Sequence, residues 1–375
     1  MSFDFIGHDR YIIDHTNMVI AYGVILALFA LYSFSLLDLN LTLLNIDVWT
    51  QFRNVMIQFG YFHRFQSTVV YLALLCLLIG FHYFFVKRWK KFSAIQLSII
   101  IAGISIFAYP FLSYDLFNYM FDAKILTFYH QNPYLHRAMD FQSAPELRFM
   151  HWVHRTYPYG PTFLPLTLVP SFLGLGKFSL TFLTFKIFFA AFYLLAVRAL
   201  NKMNSQWAIF FATHPLVIIE GLVNNHNDLI AVALGLIGVQ MLWSKHLVLG
   251  KLFFLISGGI KYITLPLIAL QKKASTINVI SFCSVCMLLM YLSIFQEVQT
   301  WYFLSLFVFI PYFFELIKRM QIFLIGILFS YYPFLLYGTW GDINNIRLKH
   351  EVIILFATIN LVVLIVQRKS VIRHK

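Results

Sequence analysis

Charge is scarce in this sequence. Only 11% of its 375 residues are Asp, Glu, Lys or Arg, against about 25% in an ordinary soluble domain. With 60% hydrophobic residues and a mean hydropathy of +0.76, too little polar surface remains to cover a water-soluble globule. The scarcity excludes most soluble enzymes, disordered chains and fibrous repeats, and leaves an all-α polytopic membrane protein. Acid is scarcer than base: 15 Asp and Glu face 28 Lys and Arg, a net charge of +13. In a soluble domain that surplus would point to nucleic acid. Here it reads as positive charge retained on a cytoplasmic face, with the lipid bilayer and no nucleic acid as the partner. Cysteine is scarce too. Cys76, Cys283 and Cys286 cannot build a disulfide framework, and all three lie in apolar runs, so the C-x-x-C of the last two reads as helix filler. The N-terminal stretch MSFDFIGHDRYIIDHTN lacks the basic region of a signal peptide and carries Asp4, Asp9 and Asp14. The apolar run after it is therefore expected to be retained as a helix. No polar stretch is long enough to build its own core, so 1–375 is expected to form a single transmembrane domain.

A membrane-spanning helix needs about 20 mostly apolar residues. The runs that qualify are 18–37, 67–86, 93–112, 178–197, 206–222, 229–244, 276–295, 300–317, 321–337 and 349–367. Two further stretches are awkward. Segment 161–176 holds Pro161, Pro165 and Pro170, and segment 252–270 is interrupted by Gly258, Gly259 and Lys261, with Pro266 beyond. Broken helices at membrane depth persist only where protein or a wet cavity satisfies their freed backbone groups. Positive charge decides the parity. With ten crossings, two membrane-dipping segments and a cytoplasmic N-terminus, most cations fall inside, among them Lys87, Arg88, Lys90, Lys91, Arg198, Lys202, Lys272, Lys273, Lys318 and Arg319. Both ends are then cytoplasmic. Most acids fall outside, among them Asp38, Asp115, Asp122, Asp140, Glu146, Asp228 and Glu297.

The longest polar stretch, 113–160, lies on that outer side. Loops of such length are usually functional or disordered. This one is too rich in Tyr and Phe for disorder and is expected to fold as amphipathic helices on the outer interface. Asp115 follows directly on the apolar run 93–112, and Asp122 comes two helical turns later on the same face. Asp115 is either a catalytic base or an N-cap; Asp122 reads more as an orienting charge. The turn Asn132-Pro133-Tyr134 follows, and Tyr157-Pro158-Tyr159-Gly160-Pro161 leads back into the membrane.

Two more constellations carry chemistry. Asn224-Asn225-His226-Asn227-Asp228 makes a tight outer turn between two apolar runs. Turn and capping preferences explain Asn227 and Asp228, but not His226. Lys261, in GGIKYITLP, places an ammonium at bilayer depth, where it costs about 2.5–3.5 kcal/mol on insertion scales. An anionic lipid phosphate in a cavity would partner it; a lysine snorkelling to the interface is the other reading. Lys186, inside the run 178–197, invites the same argument. Trp301 and Tyr302 read as an aromatic interface belt.

An outward carboxylate, an outward polar turn and a membrane-level lysine suit a substrate with an anionic headgroup on an apolar tail. A polyprenyl-phosphate sugar fits. Its phosphate leaves without a general acid, cations neutralise the departing charge, and one carboxylate deprotonates the acceptor hydroxyl with inversion at the sugar.

The motifs also carry a resemblance. Asp115-Leu-Phe-Asn-Tyr119, Phe121-Asp122-Ala123 and Asn132-Pro133-Tyr134 resemble the first outer loop of the GT-C superfamily of membrane glycosyltransferases, in particular the polyprenyl-phosphate-mannose-dependent mannosyltransferases. Tyr159-Gly160-Pro161 and His214-Pro-Leu with His226-Asn227-Asp228 are similar to stretches of mycobacterial α-1,6-mannopyranosyltransferases, and Lys261-Tyr262 and Trp301-Tyr302-Phe303 fall at matching places. The resemblance spans about residues 113–310. It implies a GT-C-like fold and a hexosyltransferase, mannose being the expected sugar. It implies catalytic residues Asp115 and Asp122, with Asp115 as the base, and substrate contacts from Tyr134, Tyr159, His226, Asn227, Asp228, Lys261 and Tyr302. No metal and no cofactor is expected beyond the lipid-phosphate sugar co-substrate; the acceptor would be a glycan or glycolipid. The chain departs from the family at His214, where Asn is usual, and in carrying three spans before the catalytic loop. A transporter or lipid-glycan flippase is the alternative from another class, although no internal repeat joins the two halves. A ligase using diphosphate-linked oligosaccharide is a third.

Overall fold

The computed structural model describes residues 5–273 and 275–373, and every regular element among them is helical. The chain ends themselves, expected in the cytoplasm, lie outside the described residues. Each of the ten expected runs is a helix or a helix group. Six are long and apolar enough to cross a bilayer unaided: His15–Leu36, Arg64–Lys87, Phe178–Met203, Thr276–Phe295, Thr300–Arg319 and Ile343–Val366. A seventh, Ser205–Thr213 with Val217–Val223, is bent by 67°. The cause is local. A residue before proline is pushed out of the helical region, and His214, before Pro215, sits at φ −67°, ψ 123°. The remaining three are shorter. Helix Ala94–Ser105 stops before Pro110, Asp228–Trp243 has 16 residues, and Gln321–Tyr337 is interrupted by a 3-10 stretch at Ile327–Tyr331.

The bent span and helix Asp228–Trp243 occupy the protein interior, whereas Ala94–Ser105 leaves Gln96, Ile99 and Gly103 exposed. Helix Asp228–Trp243 is buried on nearly every side, against Phe178–Met203, Leu247–Ile260 and Thr300–Phe309. A helix sheathed in other helices need not match the bilayer thickness, and neighbours satisfy the backbone groups its breaks release. Tyr109, beyond the end of Ala94–Ser105, donates its N–H to Ser33 Oγ at 2.8 Å.

Neither awkward segment forms one long straight helix. Helix Phe163–Leu173 lies beside helix Asp115–Thr127: the Phe163 and Tyr119 rings are 4.9 Å apart, and Ser171 Oγ is 2.8 Å from Thr127 Oγ1. Segment 252–270 is a hairpin. Helix Leu247–Ile260 ends at Lys261, whose φ −132°, ψ 113° is extended, and a 3-10 helix Tyr262–Ala269 returns. Lys251 Nζ ties the arms together by donating to the carbonyls of Ile268 and Leu270. The hairpin tip is clasped by the Tyr159-Gly160-Pro161 turn. Thr162 donates its N–H to the Gly259 carbonyl at 3.1 Å and its hydroxyl to the Ile256 carbonyl at 2.8 Å. A Cβ on Gly160 would lie 2.0 Å from that same Gly259 oxygen, so only glycine permits the approach.

The 113–160 stretch differs from expectation. Residues 113–160 contain one α-helix, Asp115–Thr127, and two 3-10 turns, Ala138–Asp140 and Pro145–Arg148. The α-helix is enclosed by protein rather than laid open along one face. Leu116 through Ala123 are all buried, because aromatic and aliphatic side chains project from every face and pack inward. The loop after the first span also belongs to this end: Asn40 Nδ2 donates to the Arg148 carbonyl and Ser179 Oγ to that of Leu43.

Candidate active site

Asp115 is the first residue of its helix, where the helix dipole favours a carboxylate. Its own N–H donates to Ser113 Oγ at 3.2 Å, and among the described residues the carboxylate caps no backbone group. Instead, Oδ2 accepts from the Tyr119 hydroxyl at 3.4 Å and lies 3.4 Å from His226 Nδ1. Burial pushes the acid's pKa up. The His226 imidazole and the charges of Lys261 and Arg155 outweigh that and hold it below the usual carboxylate range. Asp122 is the opposite case. Buried and without an ion pair among the described residues, it is pushed up to about 7 by desolvation, with Arg155 lowering and Asp115 raising it.

The polar turn 224–228, read from the sequence as a tight outer turn, is enclosed by protein: all five residues are at most 1% exposed. The fold supplies polar partners for part of the turn and leaves several of its buried side-chain atoms, the Asn227 amide among them, without a hydrogen bond among the described residues. Lys186 Nζ, fully enclosed, donates to the carbonyls of Leu222 and Val223 and to Asn225 Oδ1 at 2.7–3.1 Å. It clamps the turn rather than facing a ligand. Asn225 takes φ +58°, a conformation asparagine tolerates better than most residues. Asn224 bridges two elements, accepting from the Leu112 N–H and donating to Glu220 Oε2. Glu220 is pinned in turn by Thr300 and Tyr331, whose hydroxyls donate to Oε1 at 2.7 and 2.8 Å.

On this support stand the expected substrate residues. His226 stacks on Trp301 with ring centres 3.7 Å apart and planes 13° from parallel, and its Nε2 is 3.4 Å from Glu220 Oε2. Asn227 donates its N–H to the Tyr119 hydroxyl at 3.4 Å, and among the described residues no partner meets its side-chain amide. Asp228 Oδ2 is 2.9 Å from Lys261 Nζ, and that ammonium lies 5.6 Å above the Tyr302 ring.

A cavity of about 650 Å³ opens over these groups. Asp115, Tyr159, Lys261 and Tyr302 are on its wall, while Asp122, His226, Asn227 and Asp228 lie outside its lining, His226 within reach of Asp115 and Asp228 paired to Lys261. Tyr134 is not brought to the wall: it is 43% exposed and meets Tyr157 edge-on at 5.1 Å. Trp301, expected in an interface belt, lines the cavity. So do Trp152, Arg155, Glu297, Trp340 and Lys349, none of which the sequence singled out as site residues. The doublet Trp301-Tyr302 and the basic, aromatic run before Tyr157 were the available signals. Glu220 and Tyr119 gave none beyond their neighbours. Among the described residues no group of three His, Cys, Asp or Glu side chains converges to hold a metal ion. A second, mostly apolar cavity of about 240 Å³ lies across helix Asp115–Thr127, against the Lys124–Glu146 ion pair of 2.6 Å.

The arrangement joins an ionised acid, a paired ammonium and an aromatic wall at one opening. Among known families, the model for the N-terminal domain of alpha-(1->6)-mannopyranosyltransferases matches residues 22–275, about two thirds of the chain. No curated protein and no solved structure matches it. The matched stretch carries Asp115, the 224–228 turn and Lys261; Trp301, Tyr302 and Lys349 come from beyond it.

Proposed function

Because the chain belongs to the alpha-(1->6)-mannopyranosyltransferase family, and so is a membrane mannosyltransferase of the GT-C type, we propose that it moves mannose from a polyprenyl-phosphate carrier to a glycan or glycolipid. In this reading Asp115 removes the proton from the acceptor hydroxyl as that oxygen attacks the anomeric carbon and the lipid phosphate departs, with inversion. The observation that carries it is the Asp115 carboxylate on the wall of a roughly 650 Å³ cavity shared with Lys261. Phosphate is a good leaving group, so one base and nearby positive charge suffice. His226, held between Trp301 and Glu220, orients the base. No metal is required by this chemistry, and none of the residues on the wall is assigned to one. The whole chain is taken to work as one unit, since the walls draw on residues on both sides of position 275.

The extracytoplasmic face is the proposed side. Helix Arg64–Lys87 begins beside the cavity, where Arg64 Nη1 donates to the Leu335 carbonyl at 3.3 Å, and ends at the basic cluster Lys87, Arg88, Lys90 and Lys91. At 24 residues it is about 36 Å long, enough to cross. The positive-inside tendency then puts that cluster in the cytoplasm and the cavity outside. The test is transfer by the purified protein in proteoliposomes, given radiolabelled polyprenyl-phosphate mannose or a nucleotide-linked mannose with a glycolipid acceptor. Labelled product from the lipid phosphate alone is expected. Product from the nucleotide sugar alone would overturn the donor assignment.

A further inference from the structure

The cavity holds three cations, and the structure treats them unequally. Lys261 Nζ is 2.9 Å from Asp228, and Lys349 Nζ is 2.9 Å from Glu297 and also donates to the Val298 carbonyl at 2.7 Å. Both charges are answered within the protein. Arg155 is not. Its guanidinium carbon lies 4.7 Å from the centre of the Trp152 ring, both residues line the cavity, and its side chain forms no ion pair or hydrogen bond among the described residues. A guanidinium stacked on an indole keeps its plane fixed and its N–H groups free.

We propose that Arg155, rather than Lys261, is the principal ligand of the donor's phosphate and takes up the charge that develops there; this rests on the lipid-phosphate reading above. Charge balance supports the assignment. Once the two lysine–carboxylate pairs cancel, the wall is left, among the described residues, with one carboxylate that meets no lysine or arginine, Asp115, whose contact is the His226 imidazole at 3.4 Å, and one cation without an ion pair, Arg155. A lipid phosphodiester carries a single negative charge, which one guanidinium matches through two parallel hydrogen bonds. In the transfer step the acceptor hydroxyl's proton passes to Asp115 and its oxygen bonds to the anomeric carbon. The bond from that carbon to the phosphate oxygen breaks, and its electron pair stays on the phosphate. Asp115 becomes neutral as the phosphate gains a second negative charge, so the total charge of the site is unchanged and the negative charge has moved to the phosphate that Arg155 holds. A diphosphate carrier would bring more charge with no further unpaired cation on the wall to meet it.

The experiment is calorimetric titration of the full-length protein in nanodiscs with farnesyl phosphate, and with farnesol as the tail-only control. Wild type, Arg155→Gln, Arg155→Lys and Lys261→Met are compared. Arg155→Gln is expected to weaken farnesyl phosphate binding by about 10–100-fold, the range of a lost charged hydrogen bond, and to leave farnesol binding unchanged. Arg155→Lys, which keeps the charge but not the fork, should fall between. Should Arg155→Gln melt early, the Arg155→Lys variant with a wild-type melting profile decides alone, several-fold weaker binding being the supporting result. Binding within threefold of wild type in both Arg155 variants, with a large loss in Lys261→Met, would overturn the assignment and leave the donor reading standing. Wild-type protein that binds farnesyl phosphate no better than farnesol would overturn both.

Discussion

At the scale of single residues, two carboxylates on one helix have been given opposite states. Asp115 is held ionised by His226, Lys261 and Arg155; Asp122, with no comparable partner, is raised to about 7. The second has a consequence for stability. A carboxyl whose folded pKa is raised binds its proton more tightly in the folded state, so its contribution to stability is present at low pH and is lost as pH rises from the unfolded value of 3.8 through about 7. Asp122→Asn should therefore match wild type in thermal melting near pH 4 and exceed it near pH 8. Equal melting at both would mean that Asp122 is not a buried acid. Asp115 and Lys261 were legible in the sequence because each is a charge set against an apolar run, where charge is expensive. Arg155 was not legible. Its importance lies in lacking a partner, and partners are set by contacts between segments distant in the chain.

At the scale of elements, the glycine and proline motifs mark where segments meet. Pro215 bends one span, and Gly259 lets the 252–270 hairpin approach the Tyr159-Gly160-Pro161 turn. The sequence identified both motifs separately, as breaks. It could not indicate that Gly160 and Gly259 touch each other, since that depends on packing across about a hundred residues of chain. Gly160→Ala, whose Cβ would lie 2.0 Å from a backbone oxygen, should destabilise the protein by roughly 1–3 kcal/mol or more and reduce transfer by displacing Lys261 at the hairpin tip. Gly103→Ala is the control: its Cβ meets nothing within 4 Å, and alanine favours its helix. Thermal unfolding in detergent checks the pair. A Gly160→Ala midpoint equal to that of Gly103→Ala would show that the clasp is loose. The helix at 115–127 was misjudged for a related reason. Its aromatic residues suit a lipid interface and a protein core equally well, and only the surrounding helices choose.

At the scale of the whole molecule, all ten apolar runs were legible, because the bilayer imposes a length and a composition on each. Which of them face lipid was not, since lipid tails and protein interiors are equally apolar; the central Asp228–Trp243 helix reads like any span and is buried by protein. The orientation can be measured with cysteines. In a Cys76→Ser, Cys283→Ser, Cys286→Ser background, His154→Cys should react with a membrane-impermeant maleimide in right-side-out vesicles, and Lys273→Cys only after permeabilisation. The reverse pattern would put the cavity in the cytoplasm. The central claim is that this cavity is a catalytic centre in which Asp115 takes a proton from the acceptor. Its most direct test is single-turnover mannosyl transfer by Asp115→Asn at saturating donor, with donor binding measured on the same preparation. Donor affinity within a few-fold of wild type and a rate lower by roughly 10²–10⁴, the contribution of a positioned base, is the predicted result; a rate within tenfold of wild type would contradict the account.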